Sequence, residues 1–294
     1  MFKLGIVGSD NSHAERFSAL TNLETGIDGL RIEDVQVTHI YGTDPARTKE
    51  VAEKSRIPNI VEKKEEMIGK VDGILCVWRH GSKHLPDALP FLEAGIPAFV
   101  DKPLASNVAD AAKLIDAAEK AKVGFTSFST LRYARHTVEY IQSLPDHVGE
   151  LTTGISTGHA DRKSEYDGIF FYGIHAVELM NAVWGYGCKS VLAAEHQGNV
   201  VATCKFPTGA LVTLNLVGNG AYVFHLFAVG KKGWKEHVVD ASTCYYDGMK
   251  VFLEALRTGK WPFTREQLLE PVRVLAAIEK SLKESHEVNL SEVG

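Results

Sequence analysis

Short apolar segments alternate with amphipathic helical segments through the first 125 residues, and no other feature limits the fold as strongly. Strand-like segments occupy residues 3–7, 35–41, 72–78, 96–100 and 123–128. Helical patterns separate them, and crossover helices of this length join parallel strands of one sheet. The pattern therefore predicts an α/β domain in which helices cover both faces of a parallel, doubly wound sheet.

The second part of the chain follows a different pattern. Between residues 190 and 240, apolar and polar positions alternate in segments joined by turns such as Pro207-Thr208-Gly209. These are hairpin signals, whereas helical patterns cover residues 173–184, 245–258 and 265–285. The 294 residues suffice for two cores. We predict a Rossmann-type domain at residues 1–125 and an α+β domain with an open, mainly antiparallel sheet at residues 126–294.

The composition excludes several classes of protein. The net charge is −5 and no basic stripe is present, which argues against nucleic acid as a partner. No apolar run reaches the ~18 residues of a spanning helix, so no membrane partner is expected. The four cysteines form no CxxC pair, and Cys76 lies in a predicted strand. Buried thiols in a reducing cytoplasm are the expected state.

Lys102 is the strongest candidate for a site residue. It follows the strand predicted at residues 96–100 and precedes Pro103. Open α/β sheets bind ligands at the carboxyl ends of their strands. The proline fixes its own φ angle and restricts Lys102 to extended conformations, so a stiff backbone aims the ammonium group.

The turn after the first strand keeps only part of a dinucleotide-binding fingerprint. Gly8, Asp10 and His13 occupy the positions of the three glycines, and only the first is kept. A carboxylate ~4 Å from a phosphate charge would cost about 4 kcal/mol at an effective dielectric of ~20. Either Asp10 turns away, or the cofactor binds weakly or not at all.

If a dinucleotide binds, the helix N-terminus and the turn before it hold its phosphates. The cofactor-binding residues predicted there are Gly8, Ser9, Asp10, Asn11 and Ser12. In the alternative interpretation the turn only begins a helix, because Ser12 and Glu15 fit a capping box that occupies amide donors.

The end of the second strand lacks the acid that normally binds the ribose hydroxyls. Gly42 stands at that place, with Thr43 and Asp44 just beyond it as candidates for cofactor binding. Asp44 could equally be the N-cap of a helix that starts at a proline. The nearby Arg47 and Lys49 leave NADP open beside NAD.

A polar loop follows the strand at residues 72–78. We predict that Trp78, Arg79 and His84 contact the cofactor or a substrate anion at this edge of the sheet. His80 and His84 are four residues apart, but Gly81 and Ser82 place His80 before the helix, so no metal site is expected. In the alternative interpretation His84 is an ordinary helix histidine.

His175 is the candidate in the second domain. It lies near the start of the helix predicted at residues 173–184, where a helix N-terminus lowers the pKa of a histidine and keeps it neutral. A buried structural histidine is the alternative. Opposite Lys102 across a cleft, His175 would serve as a base.

These motifs together resemble the glucose–fructose oxidoreductase / inositol dehydrogenase (Gfo/Idh/MocA) family over nearly the whole chain. The matching segments, in order, are Gly5-Ile6-Val7-Gly8, Val100-Asp101-Lys102-Pro103-Leu104-Ala105, Gly173-Ile174-His175-Ala176-Val177-Glu178 and Phe252-Leu253-Glu254-Ala255-Leu256-Arg257-Thr258-Gly259. The resemblance implies an NAD(P)-dependent oxidoreductase of a sugar, cyclitol or related polyol, forming a homodimer or homotetramer through the second sheet. It also implies that Lys102 orients the reacting oxygen, that His175 is the acid/base, and that the Lys102–Pro103 bond is cis.

The family's aspartate four residues before the histidine is Phe171 here. Its candidate replacements are Tyr172, as a catalytic partner of His175, and His159, Asp161 and Asp167 nearby. His159, Arg162 and Asp167 are predicted to contact the substrate, and Arg162 and Lys163 could bind its carboxylate or phosphate. A solvated loop is the alternative for those two basic residues.

Two other functions remain open. The chain could be a cofactor-poor ligand-binding or regulatory protein, in which Asp10, His13, Arg79 and His80 form a pocket. It could also use a tightly held cofactor for non-redox sugar chemistry such as elimination. Fold alone does not separate these functions.

Overall fold

Two units, each with its own sheet, make up the protein in a computed structural model that describes residues 1–294. The first unit consists of Met1–Ala105, Asp110–Phe128 and Tyr245–Thr264. The second unit consists of Ser106–Ala109, Ser129–Cys244 and Arg265–Gly294. The sequence predicts residues 245–264 in the second domain, whereas they belong to the first unit, where the ring of Phe252 packs 5.8 Å from that of Phe99.

The sheet of the first unit is parallel throughout. Its strands are β1 (Phe2–Val7), β2 (Val35–Tyr41), β3 (Asn59–Ile60), β4 (Gly73–Cys76), β5 (Ala98–Val100) and β6 (Phe125–Thr126). They lie in the order β3-β2-β1-β4-β5-β6. The intervening helices are α1 (Ser12–Asn22), α2 (Pro45–Lys54), α3 (His84–Glu93) and α4 (Val108–Ala121). The prediction of a Rossmann-type parallel sheet is confirmed.

The strand register lines up the residues from which the site is built. Val7 pairs with Tyr41 on one side and with Cys76 on the other, and Cys76 pairs with Val100. The chain therefore leaves β1, β2, β4 and β5 at one edge of the sheet. At this edge open parallel sheets bind their ligands.

The second unit contains a mixed, mostly antiparallel sheet. Its strands are β7 (Leu151–His159), β8 (Ser190–His196), β9 (Asn199–Lys205), β10 (Leu211–Val217), β11 (Phe224–Gly230), β12 (Trp234–Val238) and β13 (Val288–Asn289). Their order is β12-β11-β7-β10-β9-β8-β13, and only β7 and β10 run parallel. This confirms the predicted α+β domain with an open, mainly antiparallel sheet.

Helices cover one face of this second sheet. The remaining helices of the chain are α5 (Arg135–His147), α6 (Ile169–Trp184), α7 (Cys244–Thr258), which returns to the first unit, and α8 (Arg265–Glu284). Helix α6 packs on β7 and α8 packs on β8. The opposite face of the second unit's sheet leaves large apolar side chains exposed, among them Ile155, Leu192, Val201, Leu211 and Trp234. Every helix of the protein is too short or too polar to cross a membrane.

Candidate active site

Lys102 lies at the carboxyl end of β5 and is almost fully buried. The Lys102–Pro103 peptide bond is cis, as the family resemblance implies. Burial lowers the pKa of the Lys102 ammonium group, and the neighbouring Asp101 carboxylate offsets only part of this shift. A lysine with a lowered pKa can exchange a proton as well as hold an anionic oxygen.

His84 holds the lysine motif in place and is not available to a cofactor. It is fully buried, with Nδ1 2.8 Å from the carbonyl oxygen of Pro103 and Nε2 3.1 Å from that of Trp78. Burial lowers its pKa, although Asp101 and the carbonyl oxygens act in the opposite direction. The prediction that His84 binds the cofactor is wrong, because both ring nitrogens face the backbone that carries Lys102.

The turn after β1 is capped differently from the predicted capping box. Helix α1 begins at Ser12, and its N-cap is Asn11, whose side-chain oxygen accepts a hydrogen bond from the His13 amide at 3.2 Å. Glu15 does not reach back to the turn, because its carboxylate pairs with Arg47 at 2.8 Å. Ser12 is exposed at the first position of the helix.

Asp10 is engaged by the loop that follows β4. Its Oδ1 accepts a hydrogen bond from the backbone amide of Arg79 at 3.3 Å. The indole of Trp78 lies directly under Gly8, whose φ is +107° and whose added Cβ would be 2.9 Å from the ring. Only glycine fits there, and Trp78 is a buried support for the turn, with the Lys83 ammonium 4.6 Å from its ring centroid.

His13 stands at the third glycine position and joins α1 to the lysine motif. Its Nδ1 is 2.5 Å from Oδ2 of Asp101, and the side-chain amide of Asn11 donates to the same oxygen at 3.4 Å. The ring also meets Tyr245 edge-on at 5.0 Å. Burial alone would raise the pKa of Asp101, but the charges of His13 and Lys102 hold it below its usual value.

The alternative pocket of Asp10, His13, Arg79 and His80 gains no support from this geometry. Asp10 is held by the Arg79 amide, and His13 is paired with Asp101, so neither side chain is directed at a free ligand. Two features of the sequence indicate the contact between His13 and Asp101. Asp101 directly precedes Lys102, and His13 replaces the third glycine of the fingerprint.

The end of β2 cannot carry the usual ribose-binding acid. A Cβ on Gly42 would lie 2.0 Å from Oγ of Ser9 and 2.3 Å from Oγ1 of Thr48, which are hydrogen-bonded to each other at 2.8 Å. The Ser9 hydroxyl is therefore turned into the protein, and only the backbone of Ser9 remains for a cofactor. Thr43 and Asp44 are exposed beyond the strand. Asp44 caps α2 by accepting from two amides at 3.0 and 3.1 Å, in line with the N-cap alternative.

In the second unit, His175 is nearly buried on α6, but not near its start. The helix begins at Ile169, so His175 lies in the second turn rather than the first. The prediction that His175 lies near the start of its helix is wrong, and the helix-dipole effect fades beyond the first turn. The Nδ1 atom of His175 lies instead 2.7 Å from the hydroxyl of Ser129.

Aromatic rings surround His175, and we call His159, Tyr172, Tyr222 and Phe224 the aromatic cluster. The ring of His175 is 5.6 Å from that of Tyr172 and 5.3 Å from that of Phe224. Tyr222 lies 5.8 Å from Tyr172 and 5.2 Å from Phe224, and His159 lies 5.4 Å from Tyr172. Burial and a hydrogen bond with the Tyr172 phenol raise the pKa of Tyr222.

The acidic candidates near His175 have other partners. Asp161 accepts a hydrogen bond from the amide of Lys163 at 2.8 Å and belongs to its own turn. Asp167 has a φ of +68° and directly precedes the helix N-cap Gly168. The structure thus brings Tyr172 and His159 next to His175, whereas Asp161 belongs to its own turn and Asp167 to the residues just before the helix.

Arg162 forms ion pairs with two glutamates of the second unit. Its guanidinium donates to Glu279 at 2.9 and 2.6 Å and also pairs with Glu195. The hydrogen bond from Glu279 leads the causes that raise the pKa of Arg162 above its usual range. The binding of a substrate anion by Arg162 stays a prediction, and it would require the guanidinium to leave Glu195 or Glu279.

Residues 2–128 match the model of the Gfo/Idh/MocA oxidoreductase family, which is described as having an NAD-binding Rossmann fold. The match covers every strand of the parallel sheet in the first unit. A comparison with the sequences of curated proteins finds no match.

Solved structures share the fold over nearly the whole chain. A probable dehydrogenase from Thermotoga maritima is 19% identical with a TM-score of 0.84, covering 99% of this chain and 100% of that one. A myo-inositol 2-dehydrogenase from Lactobacillus plantarum is 16% identical with a TM-score of 0.84, covering 98% and 99%. The scyllo-inositol dehydrogenase from Lactobacillus casei with bound NAD(H) and scyllo-inositol is 14% identical with a TM-score of 0.83, covering 99% of both chains.

Position 171 has an apolar residue where the family resemblance implies an aspartate. Phe171 lies one turn before His175 on α6, and its ring packs 4.9 Å from Tyr166 and 4.7 Å from Tyr172. Position 171 is therefore part of an aromatic wall, and no carboxylate reaches His175 from there.

Sequence reasoning missed three residues near His175. Ser129 follows the last strand of the first unit in the sequence. Phe224 begins β11, and Tyr222 lies two residues before it. A period-two alternation placed the two rings on one face of a strand, but nothing local linked them to a histidine some fifty residues earlier. Ser129 gave no signal at all, because a lone serine has no pattern.

Proposed function

We propose that the chain is an NAD-dependent dehydrogenase or reductase of a sugar, a cyclitol or a related small polyhydroxylated compound. The observation that carries the proposal is Lys102, buried between Asp101 and Pro103 at the carboxyl end of β5. Support also comes from the Lactobacillus casei relative in fold, whose structure contains NAD(H) and scyllo-inositol. When bound, NAD supplies the hydride acceptor or donor for a carbinol or carbonyl carbon.

The residues after β1 fit a dinucleotide despite the broken fingerprint. Gly8 has no side chain and a left-handed φ, so a phosphate can approach the backbone at the first turn. The carboxylate of Asp10 is engaged by the amide of Arg79. Ser12 is exposed at the first position of α1, where a helix N-terminus favours an anion.

NAD fits the end of β2 better than NADP. A 2′-phosphate needs a nearby cation, and the only arginine at the start of α2 is Arg47. Its guanidinium pairs with Glu15 and Glu50, both at 2.8 Å, and donates to the carbonyl oxygen of Ser9 at 3.2 Å. Asp44, exposed beside it, would repel a phosphate.

We assign the reacting oxygen of the substrate to Lys102 and His175. Lys102, with its lowered pKa, can hold an oxyanion or exchange a proton with a hydroxyl group. The ring of His175 lies beside that of Tyr172, and we assign to Tyr172 a supporting role through its ring contact and its phenol.

The aromatic cluster favours a ring-shaped, uncharged substrate. Sugar and cyclitol rings have apolar faces that pack on aromatic side chains. Tyr222 is 65% exposed and therefore offers a ring surface for such packing. Since Arg162 is paired with two glutamates, its charge gives no reason to expect a carboxylate or phosphate on the substrate.

The experiment that tests the function is a thermal-stability measurement with NAD, NADP, NADH and NADPH. A ligand at 100 times its dissociation constant adds about 2.7 kcal/mol to the free energy of unfolding. We expect a shift with NAD or NADH that exceeds the shift with the phosphorylated forms. The dinucleotide that binds is then tested for turnover with inositols and simple sugars. No shift with any dinucleotide at millimolar concentration would disprove the proposal.

We also propose a homodimer or homotetramer that pairs the open face of the second unit's sheet. The exposed apolar side chains on that face, such as Val201 and Leu211, support this assembly. Val201→Lys should shift the mass measured by light scattering toward the monomer, whereas the same change at an exposed polar position should not. The four cysteines are buried and form no disulfide bond, which fits a reducing location such as the cytoplasm.

A further inference from the structure

The partner of His175 is the hydroxyl group of Ser129. The Ser129 Oγ and His175 Nδ1 atoms are 2.7 Å apart, and Ser129 has no exposed surface. Water therefore does not compete for this hydroxyl. Nδ1 and Nε2 of a neutral imidazole share one hydrogen, so the bond at Nδ1 decides what Nε2 can do.

The direction of this hydrogen bond follows from the second partner of Ser129. Its Oγ also receives a hydrogen bond from the amide of Leu131 at 3.3 Å. An amide only donates, so the single hydroxyl hydrogen of Ser129 has Nδ1 of His175 as its acceptor. The imidazole hydrogen is consequently on Nε2.

A buried ion pair keeps Ser129 in this position. Glu178, one turn after His175 on α6, accepts hydrogen bonds from the backbone amide of Ser129 and, at 2.5 Å, from Arg132. Arg132 also donates to the phenol of Tyr186 at 2.8 Å. Burial alone would lower the pKa of Arg132, but the carboxylate of Glu178 raises it above its usual range. Helix α6 thus holds the turn that begins at Ser129 at two points.

We propose that Ser129 is a positioning residue that holds His175 in the Nε2–H tautomer, so that His175 donates a hydrogen bond to the reacting oxygen. This rests on the proposed function, in which His175 contacts the substrate. In this tautomer Nε2 has no lone pair for a proton. His175 therefore polarises the oxygen, and the proton of the substrate hydroxyl passes to the amine of Lys102, as the proposed function assigns it. A bound dinucleotide would supply the hydride acceptor.

The arrangement reverses the roles expected from the sequence. The sequence predicts that His175 is a base, kept neutral by a nearby helix N-terminus. The helix begins six residues before His175, and a carboxylate that could accept a hydrogen from Nδ1 is absent at position 171. A hydroxyl at Nδ1 favours the opposite tautomer from the one a carboxylate would favour.

The test is nitrogen NMR of the full-length protein labelled with ¹⁵N-histidine, which reads the tautomer directly and needs no substrate. His175→Asn identifies the His175 signals among those of the 12 histidines. We expect an unprotonated Nδ1 and a protonated Nε2 at neutral pH. A protonated Nδ1 in the wild-type protein would overturn the proposal.

Two variants separate positioning from simple packing. Ser129→Thr keeps the hydroxyl and should keep the wild-type spectrum. Ser129→Ala removes it and should give a mixture of tautomers, with kcat about tenfold lower and restored in the threonine variant. An unchanged spectrum in the alanine variant contradicts the proposal. If the alanine variant does not fold, the spectra of the wild-type protein and the threonine variant still show which ring nitrogen of His175 carries the hydrogen.

The failure of this inference is distinguishable from that of the proposed function. If His175→Asn retains full turnover, the role of His175 in the proposed function falls, whatever its tautomer. If His175→Asn loses turnover but Nδ1 carries the hydrogen, only the inference about Ser129 falls.

Discussion

The surroundings of Lys102 and of His175 are built from opposite kinds of chemistry. Lys102 follows the buried Asp101, which pairs with His13. On the other side of Lys102, His84 is hydrogen-bonded to the carbonyl oxygen of Pro103. His175 lies against a hydroxyl and two aromatic rings. Charged groups and backbone contacts hold Lys102 in place, whereas uncharged groups contact His175. Changes near Lys102 should therefore act on turnover and stability, and changes around His175 mainly on substrate binding and proton placement.

The largest effect should come from Lys102→Met, which removes the charge and keeps most of the volume. We expect turnover to fall by about a hundredfold to ten-thousandfold, the range for loss of a group that exchanges a proton. The thermal shift with NAD should persist, because the turn after β1 is unchanged. The measurement is steady-state kinetics together with the thermal shift.

Lys113→Met is the matched control for this change. Lys113 is an exposed lysine on α4, paired only with Asp110 at 3.1 Å, and its loss should leave both measurements unchanged. Turnover retained in Lys102→Met would remove Lys102 from the mechanism and end the contrast between the two regions.

The next largest effect should be on stability, in His13→Ala. This change leaves the buried carboxylate of Asp101 without its histidine partner, which costs about 3 kcal/mol in free energy of unfolding at pH 7. Urea unfolding measures the loss. His286→Ala removes an exposed histidine from its 2.8 Å contact with Glu284 and should leave the stability unchanged, as a control.

The same pair predicts a dependence on pH. The pKa of Asp101 is lower in the folded protein than its usual value of about 3.9. Its contribution to stability is therefore complete above about pH 4 and is lost as the pH falls through the folded-state pKa. His13→Ala should flatten this acid limb of the stability curve. An unchanged limb would show that another carboxylate is responsible.

The sequence predicted the Lys102 region well, because its pattern is local. The strand, the lysine and the proline are consecutive, and the alternation of strands and helices placed them at the binding edge of the sheet. The contacts that fix the lysine were harder to predict. His84 was assigned to the cofactor, and His13 to a ligand pocket in the alternative function. A sequence does not show that a polar side chain has a buried partner far along the chain.

The His175 region was less predictable for the same physical reason. Its partners Ser129 and Phe224 lie more than forty residues away in the sequence and meet it only through the packing of α6 on the second unit's sheet. The start of α6 was also placed four residues late, because the aromatic run at residues 170–172 hides the helical period. That error created a helix-end argument that the structure removes.

A smaller effect tests whether the aromatic cluster binds substrate. Tyr222→Ala removes an exposed ring beside Tyr172 and Phe224, and we expect KM to rise about threefold to tenfold with little change in kcat. Tyr222→Phe keeps the ring and should keep most of the affinity. Equal losses in both variants would mean that the phenol, rather than the ring, contacts the substrate.

The smallest effect should come from Arg162→Ala. The guanidinium is committed to Glu195 and Glu279, so KM should stay within twofold of the wild-type value. The free energy of unfolding should fall by less than about 1 kcal/mol, because the pairs are partly exposed. A tenfold rise in KM would contradict this and would show that the arginine leaves its glutamates for an anionic substrate. An unchanged KM in Arg162→Ala would support an uncharged substrate-binding region around His175. The contrast to the charged surroundings of Lys102 depends on that result.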